Sequence, residues 1–317
     1  MKDWYDSFIE ALYKKYPKRS QLTKALMDLL SIERESAYRR LRKEIIFPVH
    51  ELIKIASTWN ISLDEVVGIN SKQFSFKVQI LNYLNPSNEE LNDMQILVEN
   101  HDYVKNYPDM EYMEVSNRLS RMLATGFPYL NRLHLLKWTY QYGNEGELSF
   151  SEIHFPKRVS ELASKYYVTS KNIANISFIW DRMLFSYLVH NIRYFHSIYL
   201  ITDEEKEFLK KDLHDLLDYM NEVATKGCWP ETGNKVSLYI SQINIDTNYS
   251  YYYSESVKLC RVHAFEKNEI FTYDPVMVDD FRTWMLSKKK SSIQISEVDE
   301  KSRIAFFMEQ RKLIDTL

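Results

Sequence analysis

Through the first 68 residues apolar positions recur at helical spacing and are punctuated by helix-ending and helix-starting residues. Phe8, Leu12 and Tyr16 share one stripe of a helix predicted over about Trp4 to Tyr16, which Pro17 ends. A second helix is expected from about Gln21 to Leu30, with Ser20 as its N-cap. A third runs from about Ile32 to Lys43. A fourth opens at Pro48, a favoured first-turn residue, and carries Leu52, Ile53 and Ala56. A fifth is announced by the capping box Ser62-x-x-Glu65, with Leu63, Val66 and Val67 apolar.

Beyond the turn-like stretch Gly68 to Lys72 the pattern reads as mostly helical up to about residue 225. Ser87-x-x-Glu90 and Thr202-x-x-Glu205 are two further capping boxes. Phe178 to Leu200, aromatic on several sides, reads as one central helix. The rhythm changes over 235–273. Val236 to Ile245 alternates at period two with one slip at Gln242, and Leu259 to Phe265 alternates in part, so two or three strands are expected there. Asp274-Pro275 then starts a helix to about Leu286, and a last one runs from about Glu297 to Leu317. The expected fold is mainly α: a five-helix domain over 1–72 and a larger helical domain over 73–317, with a small β element near 235–273.

Length and charge sharpen this division. A chain of 317 residues suggests about two domains. Its formal charge of −3 excludes a uniformly basic surface, so any nucleic-acid footprint is local. Residues 1–72 hold 13 Lys and Arg against 10 Asp and Glu, a net of +3, which leaves −6 for the rest. The two cysteines, Cys228 and Cys260, lack a CxxC spacing and fit neither a disulfide framework nor a thiolate zinc site. Met1 leads straight into Lys2, Asp3, Asp6 and Glu10, unlike a secretory signal. The most apolar helix candidate is interrupted by Arg182 and Arg193, too soon for a membrane span. A cytoplasmic protein with no membrane contact is expected.

The densest signal is the stretch from Ala25 to Glu44. Leu26, Leu30, Ile32, Ala37 and Leu41 lock two short helices across a turn at Ser31. Residues 33–43 carry five basic and two acidic side chains. That is the pattern of a helix-turn-helix whose second helix enters the major groove of DNA. Glu33, Arg34, Ser36, Tyr38 and Arg39, nearest the helix start, are the candidates for base edges; Arg42 and Lys43 are better placed for phosphates. The string Leu30 to Leu41, then Pro48-x-x-Glu51-Leu52, then Ile61-Ser-Leu-Asp-Glu-Val66 resembles the phage-repressor (Cro-type, XRE) helix-turn-helix regulators. The resemblance covers residues 20–68 and implies a five-helix domain that binds operator DNA, commonly as a homodimer. Two positions depart from the family pattern: its usual turn glycine is Ser31, and its usual small alanine falls at Met27. Residues after 72 carry no such resemblance.

Other chemistry is thin. There is no glycine-rich phosphate loop and no HExxH, and His190 and His196, six apart, fall on different helix faces. No cofactor, metal site or catalytic group is expected, and the chain is not read as an enzyme. The 23 tyrosines, 16 phenylalanines and 6 tryptophans suggest an aromatic pocket for a small-molecule or peptide effector, with Trp180, Tyr187, Tyr194 and Phe195 as first candidates. The alternative is that these rings are simply core. Ile304, Phe307, Met308, Arg311 and Leu313 follow helical spacing and offer a dimer stripe. The leading expectation is a transcription regulator of double-stranded DNA. The competing one is a protein-interaction adaptor that uses the same helices without DNA.

Overall fold

The computed structural model describes residues 4–67, 74, 76–142, 148–264 and 268–317, without the side chains of residues 64 and 65. The chain divides into two compact units, Met1–Phe74 and Ser75–Leu317. The turn-like stretch Gly68 to Lys72 lies outside the described residues, as does the Glu65 side chain of the fifth helix's expected capping box.

The N-terminal unit is a bundle of five helices: α1 (Trp4–Lys15), α2 (Arg19–Leu30), α3 (Arg34–Leu41), α4 (Val49–Trp59) and α5 (Leu63–Val67). Their apolar stripes meet in one core in which Phe8, Leu12, Leu22, Leu26, Ala37 and Ile55 have no solvent contact. Phe47 packs edge-on against Phe8, and Trp59 against Tyr16. Two boundaries differ from the sequence expectation. The second helix starts at Arg19 with Lys18 as N-cap and no side-chain cap, so Ser20 lies inside it. The third is shorter, because Arg42 caps it and Lys43 turns left-handed at φ 65°.

The C-terminal unit overturns the mainly-α expectation. It contains a mixed eight-stranded sheet made of β1 (Lys77–Gln79), β2 (Glu111–Ser116), β3 (Asn175–Asp181), β4 (Lys235–Ser241), β5 (Tyr249–Tyr253), β6 (Lys258–Ala264), β7 (Asn268–Thr272) and β8 (Ser292–Gln294). The order across the sheet is β1-β7-β6-β5-β2-β3-β4-β8. β2, β3 and β4 are parallel, and every other pairing is antiparallel. The single central helix expected over Phe178 to Leu200 is in fact strand β3 followed by helix α10 (Leu184–Ser197). A strand buried on both faces reads as a continuous apolar run, and only Arg182 and Met183 separate this one from an apolar helix. Tyr249 to Tyr253 is likewise a largely buried strand.

Both faces of this sheet are covered. Ile176, Phe178 and Trp180 of β3 and Val236, Leu238 and Ile240 of β4 point into a large core. That core includes α6 (Asn88–Tyr103), α7 (Arg121–Ala124), α8 (Pro128–Tyr142), α9 (Lys157–Ser170), α10, α11 (Asp203–Lys226) and α13 (Glu300–Asp315). The opposite face, with Met113, Val115, Ile179 and Tyr251, packs on Val278, Phe281 and Met285 of α12 (Pro275–Ser287). The capping boxes Ser87/Glu90 and Thr202/Glu205 form in full at the starts of α6 and α11, and Asp274 caps α12. α11 ends at Gly227 in the left-handed region at φ 68°, where a Cβ would run into the Glu297 side chain. No helix among the described residues is long and apolar enough to cross a membrane.

The Ser31 departure has a structural consequence. Ser31 caps α2 in the left-handed region (φ 54°, ψ 44°), a conformation that disfavours a residue with a Cβ by about 1 kcal/mol. Ser31→Gly is therefore expected to stabilise the N-terminal unit by about 1 kcal/mol, read as slower amide exchange in α2 and α3. Unchanged or faster exchange would show that the turn is not strained.

Candidate nucleic-acid interface

What makes α3 a usable surface is the way it is held. Ala37 and Leu41 face the core, and between them Arg40 turns inward as well. Its Nε and Nη2 donate to the two carboxylate oxygens of Glu51 on α4, at 2.8 and 2.9 Å. Its Nη1 donates to Ser36 Oγ at 2.6 Å and to Ser36 O at 3.2 Å. Each residue of the Arg40–Glu51 pair is only 8% exposed. Two parallel charge-assisted hydrogen bonds fix an angle as well as a distance, so the pair sets the rotation of α3 about its axis. Tyr5 adds a second brace: its hydroxyl accepts the Phe47 N–H at 3.3 Å and donates towards Ile45 O at 3.1 Å.

With that side turned in, Glu33, Arg34, Arg39, Arg42 and Lys43 are exposed. Ser36 is half-buried and committed to Arg40. Tyr38 is half-buried too, and acts as a spacer between cations: Arg34 Nη2 donates to its hydroxyl at 3.0 Å, and the Arg34 and Arg19 guanidinium groups lie 5.4 and 5.0 Å from its ring. The Arg34 hydrogen bond lowers the Tyr38 hydroxyl below its ordinary pKa. Arg42 and Lys43 are the more heavily compensated cations. Arg42 pairs with Glu35 at 2.7 Å and with Glu44 at 3.2 Å, and Lys43 pairs with Asp6. Arg39 lies 3.6 Å from Glu44, a looser contact.

The structure adds a set of cations that the motif reading left out. Lys14, Lys15, Lys18, Arg19 and Lys24 are all exposed. From Ala11 to Met27 there is no acidic residue at all, and this acid-free run is the signal that marks them. Lys18 and Arg19 stand at the start of α2, where unpaired backbone N–H groups already favour an anion.

The four aromatic candidates of the C-terminal unit do not form one site. Trp180 and Phe195 are buried in the core. Tyr194 is on the surface, with its hydroxyl 2.9 Å from that of Tyr140. Tyr187 is exposed at the edge of a polar cleft. The expected dimer stripe is divided as well. Phe307 is buried, Leu313 is half-buried, and Arg311 is engaged by His214 and Asp218; Ile304 and Met308 stay exposed one turn apart. No group of three or more His, Cys, Asp or Glu is placed to hold a metal ion among the described residues.

The C-terminal unit also holds an unusual buried polar cluster. Glu269 sits between Arg261, 2.9 Å away, and Arg121. Burial raises the Glu269 carboxyl, but the two guanidinium groups outweigh it and hold the carboxyl well below its ordinary range. His101 stacks on Tyr166 with ring centroids 4.7 Å apart, and its Nε2 lies 2.8 Å from Tyr252 Oη. Burial, reinforced by Arg261 and Arg121, pushes its pKa down to about 3.

Two predictions follow from these ion clusters. Breaking the α3 brace by Arg40→Met or Glu51→Met strands a buried charge and is expected to destabilise the N-terminal unit by about 3–5 kcal/mol, while the double substitution recovers most of the loss in urea unfolding. A double variant as unstable as the singles would mean that packing, not charge, holds α3. As for pH, folded His101 stays neutral down to about pH 3 while the unfolded chain takes up its proton near pH 6.5. The unfolded state therefore binds more protons in that window, and stability present above it is lost as pH falls. Between about pH 7.5 and about pH 5 the native chain is expected to lose about 2 kcal/mol more stability than His101→Gln. Equal losses in the two proteins would overturn this. The chain matches no protein-family model, and neither a curated protein nor a solved structure is similar to it.

Proposed function

We propose that this chain is a sequence-specific DNA-binding transcription regulator of the cytoplasm, in which α3 enters the major groove and the C-terminal unit serves dimerisation or effector sensing. The observation that carries the reading is the division of arginines on α3. Arg40 is locked inward by Glu51, whereas Arg34 and Arg39, which flank the Ser36–Tyr38 segment, project from the same short helix. A helix pinned by one neighbour and bearing exposed guanidinium groups suits two-pronged contacts to guanine. Lys18 at the N-cap of α2, with Arg19 and Lys24 on it, then suits the flanking phosphates, a sequence-independent role that supplies affinity. A homodimer follows from the function, because one such helix covers only half of a two-fold operator.

A second reading, an interaction module that grips a partner chain, draws support from Ile46 before α4 and Val49 and Ile53 on it, which are 59, 70 and 55% exposed. Salt separates the two readings, since counterion release makes DNA binding fall steeply with ionic strength and apolar contact does not.

Fluorescence anisotropy of the full chain on duplexes from its own upstream region tests the proposal. Binding is expected to weaken with salt. Arg39→Ala is expected to cost about 1–3 kcal/mol and to relax the preference at one base pair. Lys18→Ala and Arg19→Ala are expected each to reduce the log–log salt slope by about 1 without altering sequence preference. A chain that binds no duplex in a salt-dependent way is not a DNA-binding regulator.

A further inference from the structure

The pattern of residues 74–80 promises a cover that the C-terminal unit does not supply. Phe74, Phe76, Val78 and Ile80 alternate with Ser75, Lys77 and Gln79, the period of a strand with one buried apolar face. Lys77 to Gln79 do form β1, yet Phe76, Val78 and Ile80 are 38, 54 and 66% exposed. The strand registers say which face this is. Val78 stands beside Ile270 of β7, Ile270 beside Val262 of β6, and Val262 beside Tyr249 of β5. Residues directly opposite one another share a face, so Val78 belongs to the outer face, the one that carries α12. Val262 and Tyr249 pack against the α12 cluster, Ile270 is half-buried, and Val78, next in the row, is exposed. The cover given by α12 fades before it reaches β1.

β1 is also the first strand in the sheet order, and among the described residues it pairs with β7 alone. A strand at the edge of a sheet is a template for one more strand, and such edges are usually blunted by proline, by a bulge or by charge. Residues 74–81 contain no proline. Their one charge is that of Lys77, which shares a row with Phe271 and Arg261 and so stands on the inner face. Gln79 is on that inner face too, where its Nε2 donates to Asp93 of α6 at 3.5 Å. The outer face of this edge is left wholly apolar.

A second copy of the chain suits this edge, because an antiparallel pair of identical strands is two-fold symmetric by construction. An axis at Val78 sets Val78 on Val78, Phe76 on Ile80 and Lys77 on Gln79 of the second copy, and keeps the two outer faces on one side. An axis at Lys77 would oppose two ammonium groups, and one at Gln79 would set Phe76 against Asn82. We propose that two copies of the chain associate through their β1 edges across a two-fold axis at Val78, so that one sheet continues into the other and Phe76, Val78 and Ile80 of each are covered. Residue areas of about 150–200 Å² make the exposed fractions about 300 Å² per copy and about 600 Å² for the pair, before the strand backbones are added. Specific interfaces start near about 1,000 Å² in total, so the dimer is a reversible one. The inference deepens the reading of the C-terminal unit as a dimerisation unit and rests on that reading, not on a contact of α3 with DNA. α5 ends at Val67 and β1 begins at Lys77, so both connections to the N-terminal units start beside the axis, which suits a two-fold operator.

Sedimentation velocity of the full chain without DNA, over about a hundredfold range of concentration, tests the interface. A reversible monomer–dimer equilibrium is expected. Val78→Lys, which opposes two ammonium groups at the axis, is expected to weaken the dimer by about tenfold or more. Met308→Asp, at an exposed position of α13, is expected to leave it unchanged. Val78→Cys is expected to give a covalent dimer on mild oxidation with diamide, whereas Ile293→Cys on β8, the strand at the other edge, is not. The unsubstituted chain, with Cys228 and Cys260, is the baseline. Circular dichroism reports folding, and if Val78→Lys does not fold, the two cysteine variants decide. The interface is overturned by a strict monomer, whose edge is then left for a strand of another protein. It is overturned equally by native affinity in folded Val78→Lys, by the same loss in Met308→Asp, or by cross-linking of Ile293→Cys in place of Val78→Cys. A dimer that binds no duplex ends the DNA reading and leaves the interface standing, and a monomer that binds DNA does the reverse.

Discussion

A short helix of eight residues has no preferred outward side until something fixes its rotation, and in the N-terminal unit the Arg40–Glu51 pair does so. Leu41 and Ala37 alone would bury a stripe of α3, but apolar contact is non-directional and tolerates sliding. The paired N–H···O contacts from one guanidinium to one carboxylate do not, since both distances must be satisfied at once. By drawing one cation of a cation-rich segment inward, the pair leaves the others in a defined order outside. The C-terminal unit uses a related device, in which Glu269 holds Arg261 and Arg121 inside the sheet face. In neither unit does a buried ion pair recommend itself as a source of stability, because desolvation offsets much of the attraction. What it supplies is position.

The five helices of the N-terminal unit were legible because each has its own amphipathic stripe and its own stop: Pro17, Ser31, Pro48 and Asn60 stand where helices end or begin. The inward turn of Arg40 was not legible. Nothing in a run of Arg39-Arg40-Leu41-Arg42 says which guanidinium meets a carboxylate eleven positions on. The sheet of the C-terminal unit was hidden for opposite reasons in different strands. β3 is apolar without alternation, because both its faces are buried, and so it merged with α10. β2 carries two glutamates, Glu111 and Glu114, and reads as surface. Yet Glu114 is buried, with its carboxyl accepting from Tyr112 and Ser120 and held above its ordinary pKa by desolvation.

The aromatic pocket expectation fails in an instructive way. Aromatic side chains are plentiful on β3 and α10, but Trp180 and Phe195 are spent on the core, where large rings close the space between strands and helices. The polar cleft beside Tyr187 is lined instead by residues such as Asn117, Arg118, Lys137, Asn191 and Asp246. Asn131, His134 and Lys137 line polar openings at three-residue spacing on α8, a helix whose neighbouring positions Leu130, Leu133 and Leu136 are buried. Polar residues at three-residue spacing on a helix packed into a core must be accommodated somewhere, and here they meet an opening rather than bulk solvent.

The distribution of charge separates two tasks within the proposed interface. The acid-free run from Ala11 to Met27 offers cations with no internal competitor, whereas α3 and its flank carry Glu33, Glu35 and Glu44 among their arginines. A phosphate ridge attracts any cation, so the α2 side is the natural source of affinity. The acids near α3 weaken non-specific attraction there, and they repel the backbone unless a guanidinium is turned away from its carboxylate and towards a base. Arg42, bridged to both Glu35 and Glu44, pays most for such a turn; Arg39, in loose contact with Glu44 alone, pays least. Compensated arginines beside an uncompensated patch thus favour discrimination over grip, and the residue best released to discriminate is Arg39.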